Sequence, residues 1–376
     1  MPKVIKPDYY DTFTCIAGEC SITCCQEWKI ELDEATYEKW DKKKVFNSKE
    51  KYLNHFVEEE ERVIHLDRQR RCPFLNKQKL CSLVLEYGDS ILSQTCAMFP
   101  REIQDFPDRK ECCLAPCCPA VIDILRKQDK IQFTGDINEI EDEYFKMRMY
   151  FISLIQDEKL PVSRGLMIIF YLILDFQDKK ESWENYKLEI VPKEFNHAID
   201  EMEFSSFDTF MERNELFLDL IENYRKENMY KNYLEETSLL ADQISKAGGL
   251  EKLSEKLEEF RVQIFSYHKL FRNYLASELF GSSLVPGIDL ETMTVLYQWI
   301  SIEYGEILHL IFLRWVTEGM KKISYEMIRD SIVIISRMTG YDEEGICEYM
   351  RNAFHRMQWD WGYFALIVGD GDWRRS

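Results

Sequence analysis

Cys15-Ile16-Ala17-Gly18-Glu19-Cys20-Ser21-Ile22-Thr23-Cys24-Cys25-Gln26-Glu27-Trp28 places four cysteines within eleven residues. Seven more follow between Cys72 and Cys118, whereas the remainder of the 376-residue chain holds only Cys347. Three of the pairs are adjacent: Cys24-Cys25, Cys112-Cys113 and Cys117-Cys118. Soft thiolate sulfurs spaced this closely can converge on one ion or cluster. So many ordinary buried cysteines in so short a span is the weaker explanation. The stretch therefore divides the chain into a thiol-rich N-terminal part and a thiol-poor remainder.

Length supports the same division, because 376 residues exceed what one core usually holds. The boundary is expected near residue 125, giving an irregular Cys-rich metal-binding domain over 1–125 and a helical domain over 126–376. With 45% hydrophobic and 14% aromatic residues the chain can fold as a globule. No apolar segment follows Met1-Pro2-Lys3-Val4-Ile5-Lys6-Pro7, which argues against secretion. The apolar runs Leu166 to Leu174 and Ile307 to Val316 fall short of the roughly 20 residues that span a bilayer. No membrane partner and a cytoplasmic location are expected, and in a reducing cytosol clustered thiols bind metal more often than they pair. A net charge of −19 argues against nucleic acid as a partner. Most of that charge reads as solvated helix face.

Beyond Pro119 the apolar residues recur at helical spacing, as at Tyr144, Met147, Tyr150 and Leu154. Further helices are expected at about 206–225, 228–247, 250–280, 289–319, 324–338 and 342–357. The N-terminal region reads as irregular apart from a short helix over Glu31 to Trp40 and a charge run at Glu58 to Glu61. The fold class is thus mainly α, with an irregular N-terminal domain and an all-helical C-terminal one.

Proline after Cys72 and Cys118 fixes the chain direction and removes an N–H, which suits ligand loops. Neighbouring residues of extended chain point apart, so Cys24 and Cys25 are not expected to serve one metal together. Tetrahedral zinc takes four thiolates as a structural staple, and a four-iron cluster takes the same four and adds redox chemistry. Spacing does not separate the two. It does exclude CxxxCxxC, because Glu27 stands where the third cysteine would be.

Phe13-Thr14-Cys15 through Trp28, Cys72-Pro73-Phe74-Leu75, Lys79-Leu80-Cys81-Ser82-Leu83, Tyr87-Gly88, Thr95-Cys96 with Phe99-Pro100-Arg101, and Cys118-Pro119-Ala120 together resemble the flagellin lysine-N-methylase family. Phe271 to Phe280, with its Asn273-Tyr274-Leu275 core, is similar to that family's helical segment. The resemblance implies a zinc- or iron-chelating cysteine-cluster domain. It implies methyl transfer from S-adenosylmethionine to lysine ε-amines of flagellin, with a four-iron, four-sulfur (4Fe-4S) cluster as cofactor and zinc as the alternative. The implied metal ligands are Cys15, Cys20, Cys24, Cys25, Cys72, Cys81, Cys96 and Cys118. Eight exceed the four that one centre needs, so either two sites exist or some thiols are structural. Cys112, Cys113 and Cys117 lie outside the pattern.

No G-x-G-x-x-G turn is present, so the methyl donor rests on the resemblance alone, and no catalytic residue is indicated. A non-enzymatic metal-stapled interaction module and a metal-handling protein are the alternatives. The histidines, including His55, His65 and His309, show no paired ligand spacing and read as surface or satisfied core. Arg101 is expected in an internal salt bridge, or on a carboxylate of substrate or cofactor. Trp359, Trp361, Tyr363 and Trp373 are expected to pack the C-terminal segment onto the core.

Overall fold

Helix formation is decided by the most apolar long segment. In a computed structural model describing residues 3–28, 30–42, 63–179, 182–186, 188, 190–202, 205–247, 251–283, 285, 287–340 and 343–369, that segment is one helix over Leu290–Thr317. Glu58 to Glu61, His55 and Trp373 lie outside these residues. The helix is buried around its whole circumference from Met293 to Leu313, as an all-round apolar helix must be. Asp289 caps it, its Oδ1 accepting the Thr292 N–H at 3.0 Å.

The other elements follow in chain order. Strand β1 (Lys3–Pro7) precedes helix α1 (Glu34–Lys42) and the short helices α2 (Ser82–Tyr87) and α3 (Gln94–Met98). Strands β2 (Arg101–Asp105) and β3 (Arg109–Leu114), helix α4 (Pro119–Leu125) and strand β4 (Phe133–Thr134) come next. The helical body then runs α5 (Glu143–Ile155), α6 (Val162–Lys179), α7 (Val191–Asp200), α8 (Ser206–Lys226), α9 (Lys231–Ala247), α10 (Glu251–Ile264) and α11 (His268–Ser282). The buried helix above is α12, and α13 (Tyr325–Met338), α14 (Glu343–Phe354) and α15 (Trp361–Val368) complete the chain. Ser205, Ser324 and Asp360 cap α8, α13 and α15 through side-chain oxygens.

The protein is mainly helical, with α12 packed against α6, α8, α9, α11, α13, α14 and α15. The periodicity reading of one helix over about 250–280 is corrected. A single tight turn at Phe265–Tyr267 separates α10 from α11, and His268 Nδ1 lies 2.9 Å from the Phe265 carbonyl oxygen there. Among the described residues no helix is long and apolar enough to cross a membrane.

The N-terminal third is more regular than its sequence suggests. Its strands form a sheet in the order β2-β3-β1-β4, with β1 parallel to β3, and with β2 against β3 and β4 against β1 antiparallel. β4 lies beyond residue 125, so the sheet spans the expected boundary. β3 is central and almost wholly buried, which explains why Cys112 and Cys113 sit on a strand. Glu111 on β3 meets Arg109 Nε at 2.6 Å and the guanidinium of Arg148 from α5, a buried ion network joining sheet to helix.

Two apolar cores result. The larger joins Ile5, Tyr9, Leu114 and Val121 to the helical body. The smaller gathers Ile30, Leu32, Trp40, Ile64, Phe74, Leu83 and Ile91 around buried Cys72, with Cys25, Cys81 and Cys96 packed against it. Trp40 anchors it, meeting Phe74 edge-on at 5.3 Å and donating Nε1–H to the Ile91 carbonyl at 2.7 Å.

Candidate metal centre

Each cysteine of the cluster is placed by a local device. Cys15 and Cys20 flank the tight turn Ala17–Glu19. A Cβ at Gly18 would stand 2.7 Å from the Gln78 carbonyl oxygen, so only glycine lets this turn approach the one at residues 76–80. In that second turn the Asn76 Oδ1 accepts the N–H groups of Gln78 and Leu80, which presents Cys81 at the start of α2. Asp67 folds the preceding loop by accepting from Gln69 and Arg71, and Cys72 N–H then reaches the Cys25 carbonyl at 2.7 Å. Ser93 caps α3 by accepting the Cys96 N–H at 3.1 Å. Cys118 immediately precedes α4, whose first residue is Pro119, the position where a missing N–H costs nothing.

These devices aim all eight cysteines singled out by the resemblance at one cavity of about 410 Å³. Cys15, Cys20, Cys24, Cys25, Cys72, Cys81, Cys96 and Cys118 line it, and Cys112, Cys113 and Cys117 do not. The Cys113 thiol instead donates to Glu102 Oε2 at 3.3 Å, behind β2. Among the described residues no group of three or more His, Cys, Asp or Glu side chains is arranged to hold a metal ion. The sulfurs are distributed over the cavity wall.

Cys24 and Cys25 do not have the geometry of extended chain. The chain turns at these residues instead of running extended, so both thiols face the cavity and hydrogen-bond to each other. The Cys24 thiol pulls Cys25 down to about 7, aided by Thr23 and Arg337 against the opposing effect of burial. A thiolate near neutral pH is the form that binds metal. The same hydrogen bond, together with burial, raises Cys24. Burial raises Cys72 and Cys81, and lifts Cys96 and Cys118 to about 11.

Although the chain carries a net charge of −19, Lys79, Arg101 and Arg337 face this cavity against one carboxylate, Asp89. The donor set therefore fits an anionic thiolate cluster: soft sulfurs, fixed cations, and walls built by Trp28, Trp40, Phe74 and Phe99. Among the described residues Arg101 forms no salt bridge. Its Nη2 donates to the Phe13 carbonyl at 3.3 Å, and its guanidinium lies 5.0 Å from the Phe13 ring centre.

Arg337 escaped the sequence reading. It ends α13, a helix of the helical body, and reaches into the cysteine loops from there. Nη2 donates to Ile22 O at 2.9 Å, and Nη1 and Nε donate to Thr23 O and Cys117 O, both at 3.1 Å. Only its place in the last turn of an amphipathic helix distinguishes it in sequence.

The remaining features match their structural readings. His309 is buried against Asn214 Oδ1 at 3.2 Å. Trp361 donates Nε1–H to the Met167 carbonyl at 3.0 Å, and the Tyr363 hydroxyl bonds Glu212, so both pack the C-terminal segment down.

Comparison with known proteins places this geometry. Over 124 residues the chain is 27% identical to a lysine-N-methylase of Salmonella typhimurium, covering 31% of each chain. A lysine-N-methylase of Salmonella choleraesuis matches at 27% with the same coverage. The flagellar biosynthetic protein FliU of Salmonella muenchen matches at 28% over 131 residues, 31% of this chain and 73% of that protein. The match thus spans about a third of the length of the lysine-N-methylases. No solved structure matches the chain. The family model for the FliB lysine N-methylase C-terminal domain matches residues 148–367, a segment that includes Arg337 but none of the eight cavity cysteines. With more than half of its length matched, the chain belongs to the FliB lysine N-methylase C-terminal domain family.

Proposed function

We propose that this protein is an S-adenosylmethionine-dependent lysine N-methyltransferase of the cytoplasm, acting on surface lysines of flagellin. In this reading the cavity thiols hold a 4Fe-4S cluster. The observation that carries the reading is the convergence of eight cysteines, from five separate stretches of chain, on one cavity beside the family domain. The family and the relatives' names support the reaction class and the substrate.

Iron–sulfur is favoured over zinc by dimensions. Zinc–sulfur bonds of about 2.3 Å in a tetrahedron bring the four sulfurs to about 3.8 Å from one another. A cavity of about 410 Å³ with sulfurs spread over its wall suits a centre of several atoms. When bound, such a cluster supplies redox chemistry and Lewis acidity. The chain's own residues do the rest: Cys25 presents a thiolate near neutral pH, Arg337 and Arg101 balance negative charge, and the aromatic walls exclude water. A lysine amine must lose its proton before it attacks the methyl sulfonium, and a dry site favours the neutral amine.

One observation favours the non-enzymatic alternative, in which metal merely staples a domain. Four of the cysteines pack against the small second core. A single experiment decides between them. Protein purified without oxygen is examined for visible absorption and for iron and zinc, then incubated with S-adenosylmethionine and purified flagellin, and the flagellin is weighed by mass spectrometry. The proposal expects a brown, iron-bearing protein that adds methyl masses to lysines and loses this activity in Cys25→Ala. Colourless protein holding only zinc, with flagellin unchanged, would refute it.

A further inference from the structure

The eight thiols do not belong equally to one body of the protein. Cys72 is buried in the small core, and Cys25, Cys81 and Cys96 pack against that same core. Backbone bonds tie the segments of Cys25, Cys72 and Cys81 together. Cys72 N–H meets Cys25 O at 2.7 Å, Leu75 and Cys81 form an isolated β-bridge, and Ser82 N–H meets Phe74 O at 2.8 Å. Every one of the four sulfurs lies within electrostatic reach of the other three.

Cys118 is instead part of the large core, ahead of α4. Cys20 lies within electrostatic reach of Cys118 on one side and of Cys15 on the other. The loop carrying Cys15 and Cys20 is anchored to the helical body, through Arg337 on Ile22 and through Ser21 Oγ, 3.1 Å from Asp330 Oδ1. Cys15 is exposed to solvent, and no thiol of the inner four is.

Resting on the reading that this cavity binds a thiophilic metal, we infer that it holds two centres. Cys25, Cys72, Cys81 and Cys96 form an inner, closed one, and Cys15, Cys20 and Cys118 form an outer one with a coordination position left free. Cys24 lies between them, its thiol on Cys25. Four protein ligands in an apolar setting make a structural site, and three, of which Cys15 is exposed, leave room for an exchangeable ligand. The staple and the reactive position are then different places. The outer centre is the one that exchanges its metal and meets substrate.

The wild-type protein tests this without any variant. Protein loaded with iron and sulfide under anaerobic conditions is exposed to a ferrous-iron chelator for increasing times, quenched with iodoacetamide, and mapped by mass spectrometry. The expected result is two phases of iron loss. Cys15, Cys20 and Cys118 are alkylated in the first, while Cys25, Cys72, Cys81 and Cys96 stay protected into the second. A single phase in which all these cysteines react together, or reaction of the inner four first, overturns the inference and leaves the single-cluster reading standing. Protein that takes up no metal at all overturns both. As a second measure, Cys118→Ser and Cys81→Ser should each lose part of the bound iron. Complete loss in either correctly folded variant also rejects two centres.

Discussion

The Arg337 guanidinium lies 5.6 Å from the centre of the Trp28 ring, so a residue of the family domain covers an aromatic wall of the thiol cavity. The same side chain bonds three carbonyls of the cysteine loops. Hydrogen bonds from charged groups contribute about 1.5–3 kcal/mol each when lost singly. Arg337→Gln is therefore expected to lower unfolding free energy by about 2–4 kcal/mol in urea titration, with Arg337→Lys intermediate. A loss below about 0.5 kcal/mol, the range of ordinary surface substitutions, would show that this clamp does not hold the loops.

Glu111 is placed against two buried guanidiniums, Arg109 and Arg148. Removing it takes the carboxylate from buried Arg148 and leaves Arg109 with Asp108 alone, which costs about 3–5 kcal/mol. Glu111→Gln should reduce thermal stability severely. Glu111→Gln combined with Arg148→Met should recover part of the loss, measured by calorimetry.

His309 governs an acid limb of stability. Burial on α12 drives its ionisation from the ordinary value down to about 3. Below about pH 6.5 the unfolded chain takes up a proton that the folded one refuses until about pH 3. Stability contributed by neutral His309 is thus full above pH 6.5 and falls between those limits, by up to about 1.4 kcal/mol per pH unit. In His309→Gln, urea midpoints measured from pH 7 to 4 should change less steeply than in the wild type.

Gly281 on α11 faces Cys113, and an added Cβ would stand 3.0 Å from the sulfur. Gly281→Ala should destabilise by about 1–3 kcal/mol through overpacking. Cys113→Ala should relieve that strain, so the double variant is more stable than the sum of its parts, as a double-mutant cycle detects. Neither change should alter the thiol cavity, because Cys113 does not line it.

Much of the helical body was legible in sequence. Long periodic segments such as α8, α9, α12 and α13 declare themselves, and Ser or Asp caps mark their starts. The gathering of the cysteines was legible too, because soft side chains crowd together, while the eight that line the cavity were singled out by the family resemblance. What escaped was long-range or short. β1 pairs with β3 across more than a hundred residues, through strands of five and six. No local pattern reports such a partner. The turn at Cys24 and Cys25 was not legible either, since no glycine, proline or asparagine marks it. Arg337 was invisible because its importance lies in the carbonyls it reaches and not in its neighbours along α13.

The bond from Arg337 to Ile22 also sets an order of events during synthesis, since 315 positions separate its two ends. At about 5–20 residues per second, the ribosome delivers this arginine roughly 15–60 s after the first cysteines. Throughout that interval the loops at Ile22, Thr23 and Cys117 lack the hydrogen bonds that Arg337 supplies. The wall of the thiol cavity that Arg337 completes is therefore built last, from a part of the chain made long after the cysteines it covers.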